Sequence, residues 1–165
     1  MALLDTNVIR KDFPILGRTV RSGKKLVYLD SAATSQKPLS VLDAERNFYL
    51  NHNAAAHRGA HLLAEEATDA FEGARAVVAD FISALSSEII FTKSATESIN
   101  VVSYGFSNHL PKKDPFYINE QNNIVVTQLE HHANLLPWQQ LAKRSGAKLS
   151  WLGITKDAQI DISNI

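Results

Sequence analysis

Three short apolar runs, Ile89-Ile90-Phe91-Thr92, Asn123 to Leu129 and Lys148 to Leu152, constrain this chain more than any other feature. Each shows little two-residue alternation, so each reads as a strand covered on both faces. Stretches of helical character lie between them, one from Ala95 and one from Leu135. Strand, helix, strand, helix, strand implies crossover connections, which are right-handed when they join parallel strands. The predicted class is therefore α/β, a mostly parallel sheet with flanking helices.

Upstream, Leu62, Leu63, Ala67, Ala70, Phe71, Ala74, Val77, Val78 and Phe81 recur at three-and-four spacing, which predicts one buried face of a long helix between Gly59 and Ile82. Residues 3 to 11 suit a short amphipathic helix that ends before Phe13-Pro14, because Pro14 disfavours helical backbone at the residue before it. A polar turn follows at Arg21 to Lys24. Leu26-Val27-Tyr28-Leu29 then reads as a short strand running into the small-residue loop Asp30 to Thr34, and Pro38 suits a helix start. Pro111 to Asn122 reads as a polar surface connection. The chain shows no repeat and no low-complexity tract.

Composition narrows function by exclusion. The 165 residues carry 17 basic and 17 acidic side chains, and no basic cluster is interleaved with aromatics. Nucleic acid and anionic membrane surfaces are therefore not expected partners. The N-terminal residues lack the apolar core and cleavage site of a signal peptide, so a cytoplasmic setting is expected. There is no cysteine, which rules out disulfides, thiolate metal ligands and any thiol nucleophile from these residues.

Ser94-Ala95-Thr96-Glu97 follows a predicted strand and opens a predicted helix. It fits a capping box, in which the Ser94 side chain accepts from the Glu97 amide and the Glu97 side chain accepts from the Ser94 amide. The plain reading is capping alone; the functional reading adds a phosphate at the helix N-terminus with the Thr96 hydroxyl as a donor. His131 and His132 follow the second strand, where open α/β sheets bind ligands, and one imidazole there suits stacking on an aromatic ring. Two solvated loop histidines are the alternative. Arg58 suits a carboxylate clamp, while His57 and His61, interrupted by Gly59, make a poor zinc pair, and no metal site is expected. Asp30 to Thr34 is a turn or a place where small side chains admit a ligand to the backbone. Nothing around Lys93 predicts the burial that a Schiff-base lysine needs.

Four segments in order carry a resemblance: Tyr28 to Pro38 (YLDSAATSQKP), His57 to His61 (HRGAH), Phe91 to Asn100 (FTKSATESIN) and Glu130 to Trp138 (EHHANLLPW). Together they resemble the N-terminal signatures of SUF-type (group II) cysteine desulfurases, members of the class V aminotransferase-like family that uses pyridoxal 5′-phosphate. The resemblance implies the large domain of a fold type I enzyme in part, with residues 1–58 as an N-terminal segment and 59–165 as the start of the cofactor-binding large domain.

It also implies roles. Ala95 and Thr96, with the amides of their turn, would hold the cofactor phosphate, and His131 would stack on the pyridine ring. Asn134 would belong to the same cofactor-binding set as a support of that loop. His57 and Arg58 would complete the active site across a homodimer interface, and Ala32 and Ala33 would line the substrate's path. Ala95 stands where the family commonly has threonine, which removes one hydroxyl contact. Family members convert L-cysteine to L-alanine and pass the sulfur as a persulfide to an acceptor protein for iron–sulfur cluster assembly.

No counterpart of the Ser-x-His-Lys segment, the Asp-Gly segment or the catalytic cysteine occurs here, so no catalytic residue is expected among these residues and the chain alone is expected to be inactive. Its C-terminal end is expected to fall inside the family domain, and unpaired apolar strand edges are expected. Alternatives are a non-catalytic dimerisation or partner-binding module, or part of a selenocysteine lyase or another class V enzyme.

Overall fold

The computed structural model describes residues 4–163, and its contacts divide the chain into two compact units, residues 1–89 and 90–165. In the first unit the Asp5 carboxylate accepts from the amides of Asn7 (2.9 Å) and Val8 (3.3 Å) and so caps α1 (Thr6–Lys11). Arg10 and Lys11 complement the dipole at its other end. Leu3, where the sequence places the start of this helix, lies outside the described residues. Pro14 opens a single 3₁₀ turn, Pro14–Gly17, and an antiparallel bridge between Thr19 and Lys25 closes the polar turn.

The strand expected at Leu26–Leu29 does not form. The Leu26 amide bonds to Arg18 O (3.0 Å), but the run beyond it has no strand partner among the described residues, and Leu29 is 91% exposed. Extended backbone is locally encoded; a strand also needs a neighbour for its amides and carbonyls.

Pro38 precedes α2 (Leu39–Asn47), as its fixed φ suits, and the Leu39 amide ties to Asp12 O at 2.8 Å. α2 widens into an i→i+5 turn, Phe48–His52. A loop leads to α3 (Leu62–Phe81), capped by His61, whose Nδ1 accepts from the Ala64 amide at 3.4 Å. A Cβ on Gly59 would lie 2.7 Å from Ala64 Cβ, so only glycine fits where the loop crosses the helix start. The helix is where periodicity placed it, but its apolar face is not buried. Ala64, Ala67 and Ala79 are covered, while Val77 and Phe81 are 70% and 87% exposed. By its contacts α3 belongs to the first unit.

Ile89–Thr92 is likewise not a strand: the chain is extended at Ile89, and Ile90 is 70% exposed. The Ile89 carbonyl instead accepts from the Arg75 guanidinium. α4 (Ala95–Tyr104) continues into a wider turn, Gly105–His109, and a run of turns reaches Asn122. β1 (Asn123–Thr127) pairs in parallel with β2 (Lys148–Leu152), in register from Asn123↔Lys148 to Thr127↔Leu152. β1 stops two residues short of the expected Leu129 because Thr127 and Glu130 turn the chain there.

α5 (Leu136–Ser145) crosses between the strands, with Pro137 in its first turn and Gly146 ending it at φ 77°. Gly146 needs that left-handed conformation, and a Cβ there would also lie 3.3 Å from Glu120 Cβ. Leu141, 1% exposed, is the main large side chain sealed inside, with Val126, Ala147, Pro137 and Ser103 around the sheet. Burying such a leucine contributes about 2 kcal/mol. The mixed helices and small parallel sheet agree with the expected class at that level. Among the described residues no helix is long and apolar enough to cross a membrane.

Candidate functional site

The start of α4 is a capped helix terminus with a variation. The Glu97 amide donates to Ser94 Oγ at 3.2 Å, as predicted, but the Glu97 carboxylate accepts from the Lys93 amide at 2.6 Å instead of the Ser94 amide. Glu97 thus caps one residue further out, because the chain enters the helix with Ser94 fully extended (φ −165°). The first i→i−4 bond runs from Ser98 N–H to Ser94 O at 3.0 Å. The amides of Ala95 and Thr96 precede it, which leaves them for an outside acceptor. Thr96 and Ala95 are exposed, and so is Lys93, which lacks the burial of a Schiff-base lysine.

The loop after β1 holds the second element. The His131 carbonyl accepts from the Asn134 amide at 2.8 Å, and His131 Nδ1 accepts from the Ala133 amide at 3.1 Å. Because Nδ1 is an acceptor, the neutral ring carries its hydrogen on Nε2. Thr96, His131 and His132 line one open cavity of about 420 Å³, together with Asn100, Ala133 and Leu136. That volume lies within the range of small-molecule sites, roughly 300–1,000 Å³. An anion-binding helix start and an imidazole face on one cavity fit a planar, phosphate-bearing cofactor.

Asn134 is placed differently. Its amide nitrogen donates to Glu130 Oε2 at 2.7 Å, its oxygen accepts from the Trp138 indole at 2.9 Å, and it lines a separate cavity of about 410 Å³ with Trp138 and Leu141. Both ends of its side chain are occupied by bracing contacts. Glu130 also accepts the Thr127 hydroxyl at 2.9 Å. Hydrogen bonds from Asn134 and then Thr127 hold its carboxyl below the ordinary value of 4.5. Glu130 and Trp138 escaped the sequence reading as working residues. The available signal was a carboxylate with a threonine three residues before it and an asparagine four after.

In the first unit, Ala32 and Ala33 sit in an exposed turn closed by Ala33 N–H to Asp30 O (3.2 Å), with the Tyr28 hydroxyl on Asp30 O from the side. His57 adopts φ 61°, a left-handed conformation that costs a non-glycine residue about 1–2 kcal/mol. Its amide donates to Thr68 Oγ1 (2.9 Å), and its Nε2 lies 3.1 Å from Glu72 Oε1. The Arg75 Nε–H donates to the other Glu72 oxygen at 2.9 Å, and that bond, with the charges of Arg75 and His57, holds the Glu72 carboxyl below its ordinary value. Arg58 is exposed and forms no ion pair with the described residues. His61 spends Nδ1 on capping α3, and no cluster of metal-ligating side chains occurs among the described residues. A cavity of about 510 Å³ beside the His52–Glu66 pair (2.8 Å) was not signalled by any motif.

The chain is 56% identical to a probable cysteine desulfurase of Streptomyces coelicolor, over 99% of this chain and 38% of that protein. It is 54% identical to probable cysteine desulfurase 2 of Mycobacterium leprae, over 98% and 38%. The apo structure of a cysteine desulfurase from Thermococcus onnurineus NA1 superposes with a TM-score of 0.81 at 36% identity, covering 99% of this chain and 37% of that one. Escherichia coli CsdA, a cysteine desulfurase in its S-sulfonic acid form, superposes with a TM-score of 0.73 at 32% identity, over 98% and 38%. The chain thus spans about 38% of the length of the curated relatives it matches. Residues 27–165 match the aminotransferase class-V model, and the chain belongs to that family.

Proposed function

We propose that this chain is the N-terminal part of a cysteine desulfurase of the SUF type, dependent on pyridoxal 5′-phosphate. The complete enzyme converts L-cysteine to L-alanine and passes the sulfur, as a persulfide, to an acceptor protein for iron–sulfur cluster assembly. One observation carries this reading: Thr96, at the open N-terminus of α4, and His131, at the end of β1, line a single cavity. The Ala95 and Thr96 amides and the Thr96 hydroxyl bind the phosphate, and His131 supplies a flat face to the pyridine ring. Asn134 braces the loop that carries His131. The cofactor, when bound, supplies an electron sink for bond cleavage in the amino-acid substrate.

Ala32 and Ala33 are assigned to the substrate's approach, and His57 and Arg58 to the active site of a second copy in a homodimer. Residues 1–58 are then the N-terminal segment and 59–165 the start of the fold type I large domain, in a cytoplasmic enzyme. These residues contain no cysteine, so the persulfide-forming thiolate is not among them. Incubated alone with L-cysteine and pyridoxal 5′-phosphate, the chain is expected to release no alanine.

The test compares pyridoxal 5′-phosphate with pyridoxal, which lacks the phosphate, by fluorescence titration of the wild-type chain and Thr96→Val. The phosphorylated form should bind at least about tenfold more tightly, the scale of a charge-assisted hydrogen bond, and Thr96→Val should narrow that gap. Equal affinity for the two compounds would sink the proposal.

A further inference from the structure

A chain of hydrogen bonds runs through the loop that carries His131. Thr127, the last residue of β1, donates its hydroxyl to Glu130 Oε1 (2.9 Å). The Asn134 side-chain amide donates to Glu130 Oε2 (2.7 Å), and the Trp138 indole, in α5, donates to Asn134 Oδ1 (2.9 Å). His131 sits at the apex, its carbonyl on the Asn134 amide and its Nδ1 on the Ala133 amide. A carboxylate accepts from both sides at once and leaves Thr127 Oγ1 to accept from the Leu129 amide. A glutamine there would turn its NH₂ toward Thr127 Oγ1 and reverse that bond, which deprives the hydroxyl hydrogen of its acceptor and lengthens the tie to β1.

We propose that Glu130 is the positioning residue for His131: its carboxylate joins the end of β1 to Asn134, and through Asn134 to Trp138 of α5, which keeps the Ala133 amide on Nδ1 and the ring's hydrogen on Nε2. The purpose of this arrangement, a fixed imidazole face for the cofactor, rests on the function proposed above; the arrangement itself needs no ligand. Carboxylates in loops commonly serve structure alone, so the readout must be the histidine ring and not stability.

The experiment records long-range ¹⁵N–¹H spectra of the histidine rings in the unliganded chain at about pH 8, above the ordinary imidazole range. Wild type, Glu130→Gln, Thr127→Ser and Thr127→Val are compared, with pyridoxal 5′-phosphate titrated afterwards. The wild type and Thr127→Ser, which keeps the hydroxyl, should show His131 as one Nε2–H tautomer. Glu130→Gln should show a mixture of tautomers and bind the cofactor about tenfold more weakly, as for one lost charge-assisted bond. Thr127→Val, which removes one donor only, should fall between and decides the matter if Glu130→Gln does not fold. An unchanged tautomer in a folded Glu130→Gln or Thr127→Val chain would overturn the proposal. Loss of the tautomer in a chain whose wild type binds no cofactor would support the positioning role while removing the function proposed above.

Discussion

The two units carry their site residues in opposite ways. In the second unit, Thr96 opens α4, which packs on α5, and His131 follows β1, which pairs with β2 over a core that seals Leu141. In the first, Ala32, Ala33 and Arg58 are displayed on exposed turns, and the longest helix covers alanines while leaving Val77 and Phe81 open. His57 is held, but through a left-handed backbone and an ion pair at the surface rather than through packing. The difference teaches that the Thr96–His131 cavity is encoded by contacts within residues 90–163. The proposed substrate-side residues lie on turns of the first unit that its own packing leaves exposed.

The largest expected effect tests that difference directly. Leu141→Ala should cost about 3 kcal/mol, because it removes transfer energy and opens a cavity beneath the sheet. Val77→Ala on the exposed face of α3 should stay within about 0.5 kcal/mol. Urea melts followed by amide exchange in each unit would check both, and equal costs would erase the contrast. Next in size, Gly59→Ala should destabilise the first unit by about 1–3 kcal/mol by driving a methyl group into Ala64, while leaving exchange in the second unit unchanged.

A third prediction compares carboxyls. Glu72 and Glu130 both titrate below the ordinary value of 4.5, the first through Arg75 and His57, the second through the neutral donors Asn134 and Thr127. Each therefore stabilises the folded chain above about pH 4.5, and that contribution is lost as pH falls through its lowered value. Added salt screens the charged partners only. Carboxyl NMR titration in high salt should move Glu72 back toward its ordinary value and leave Glu130 in place; parallel shifts would contradict the assignment. The smallest effect on stability belongs to Ile90→Lys, expected within about 0.5 kcal/mol, yet it should reduce self-association measured by sedimentation, because it charges an exposed apolar side chain on an extended segment.

What could be read in advance divides along the line between local and non-local information. The pattern of apolar residues located α3, α4, α5, β1 and β2 to within a few residues, since each depends on its own periodicity and capping. The runs at Leu26–Leu29 and Ile89–Thr92 have strand composition but no strand neighbour among the described residues, and composition does not report pairing. Likewise the spacing of Ser94 and Glu97 announced a cap, but the extended Ser94 backbone sent the Glu97 carboxylate to Lys93. Thr96 and His131 were singled out separately by pattern, and only the fold brings them to one cavity. Asn134 was grouped with them through resemblance, whereas the structure engages both ends of its amide with Glu130 and Trp138.

The most direct measurement is a titration of pyridoxal 5′-phosphate into chain labelled with ¹⁵N at histidine, followed by borohydride reduction and mass analysis to count adducts on lysines. Noncovalent binding in the Thr96–His131 cavity predicts saturable shifts at the His131 ring, none at His57, and little reduced adduct. Shifts absent at His131, or binding accounted for by lysine adducts alone, would contradict the assignment of this cavity to the cofactor.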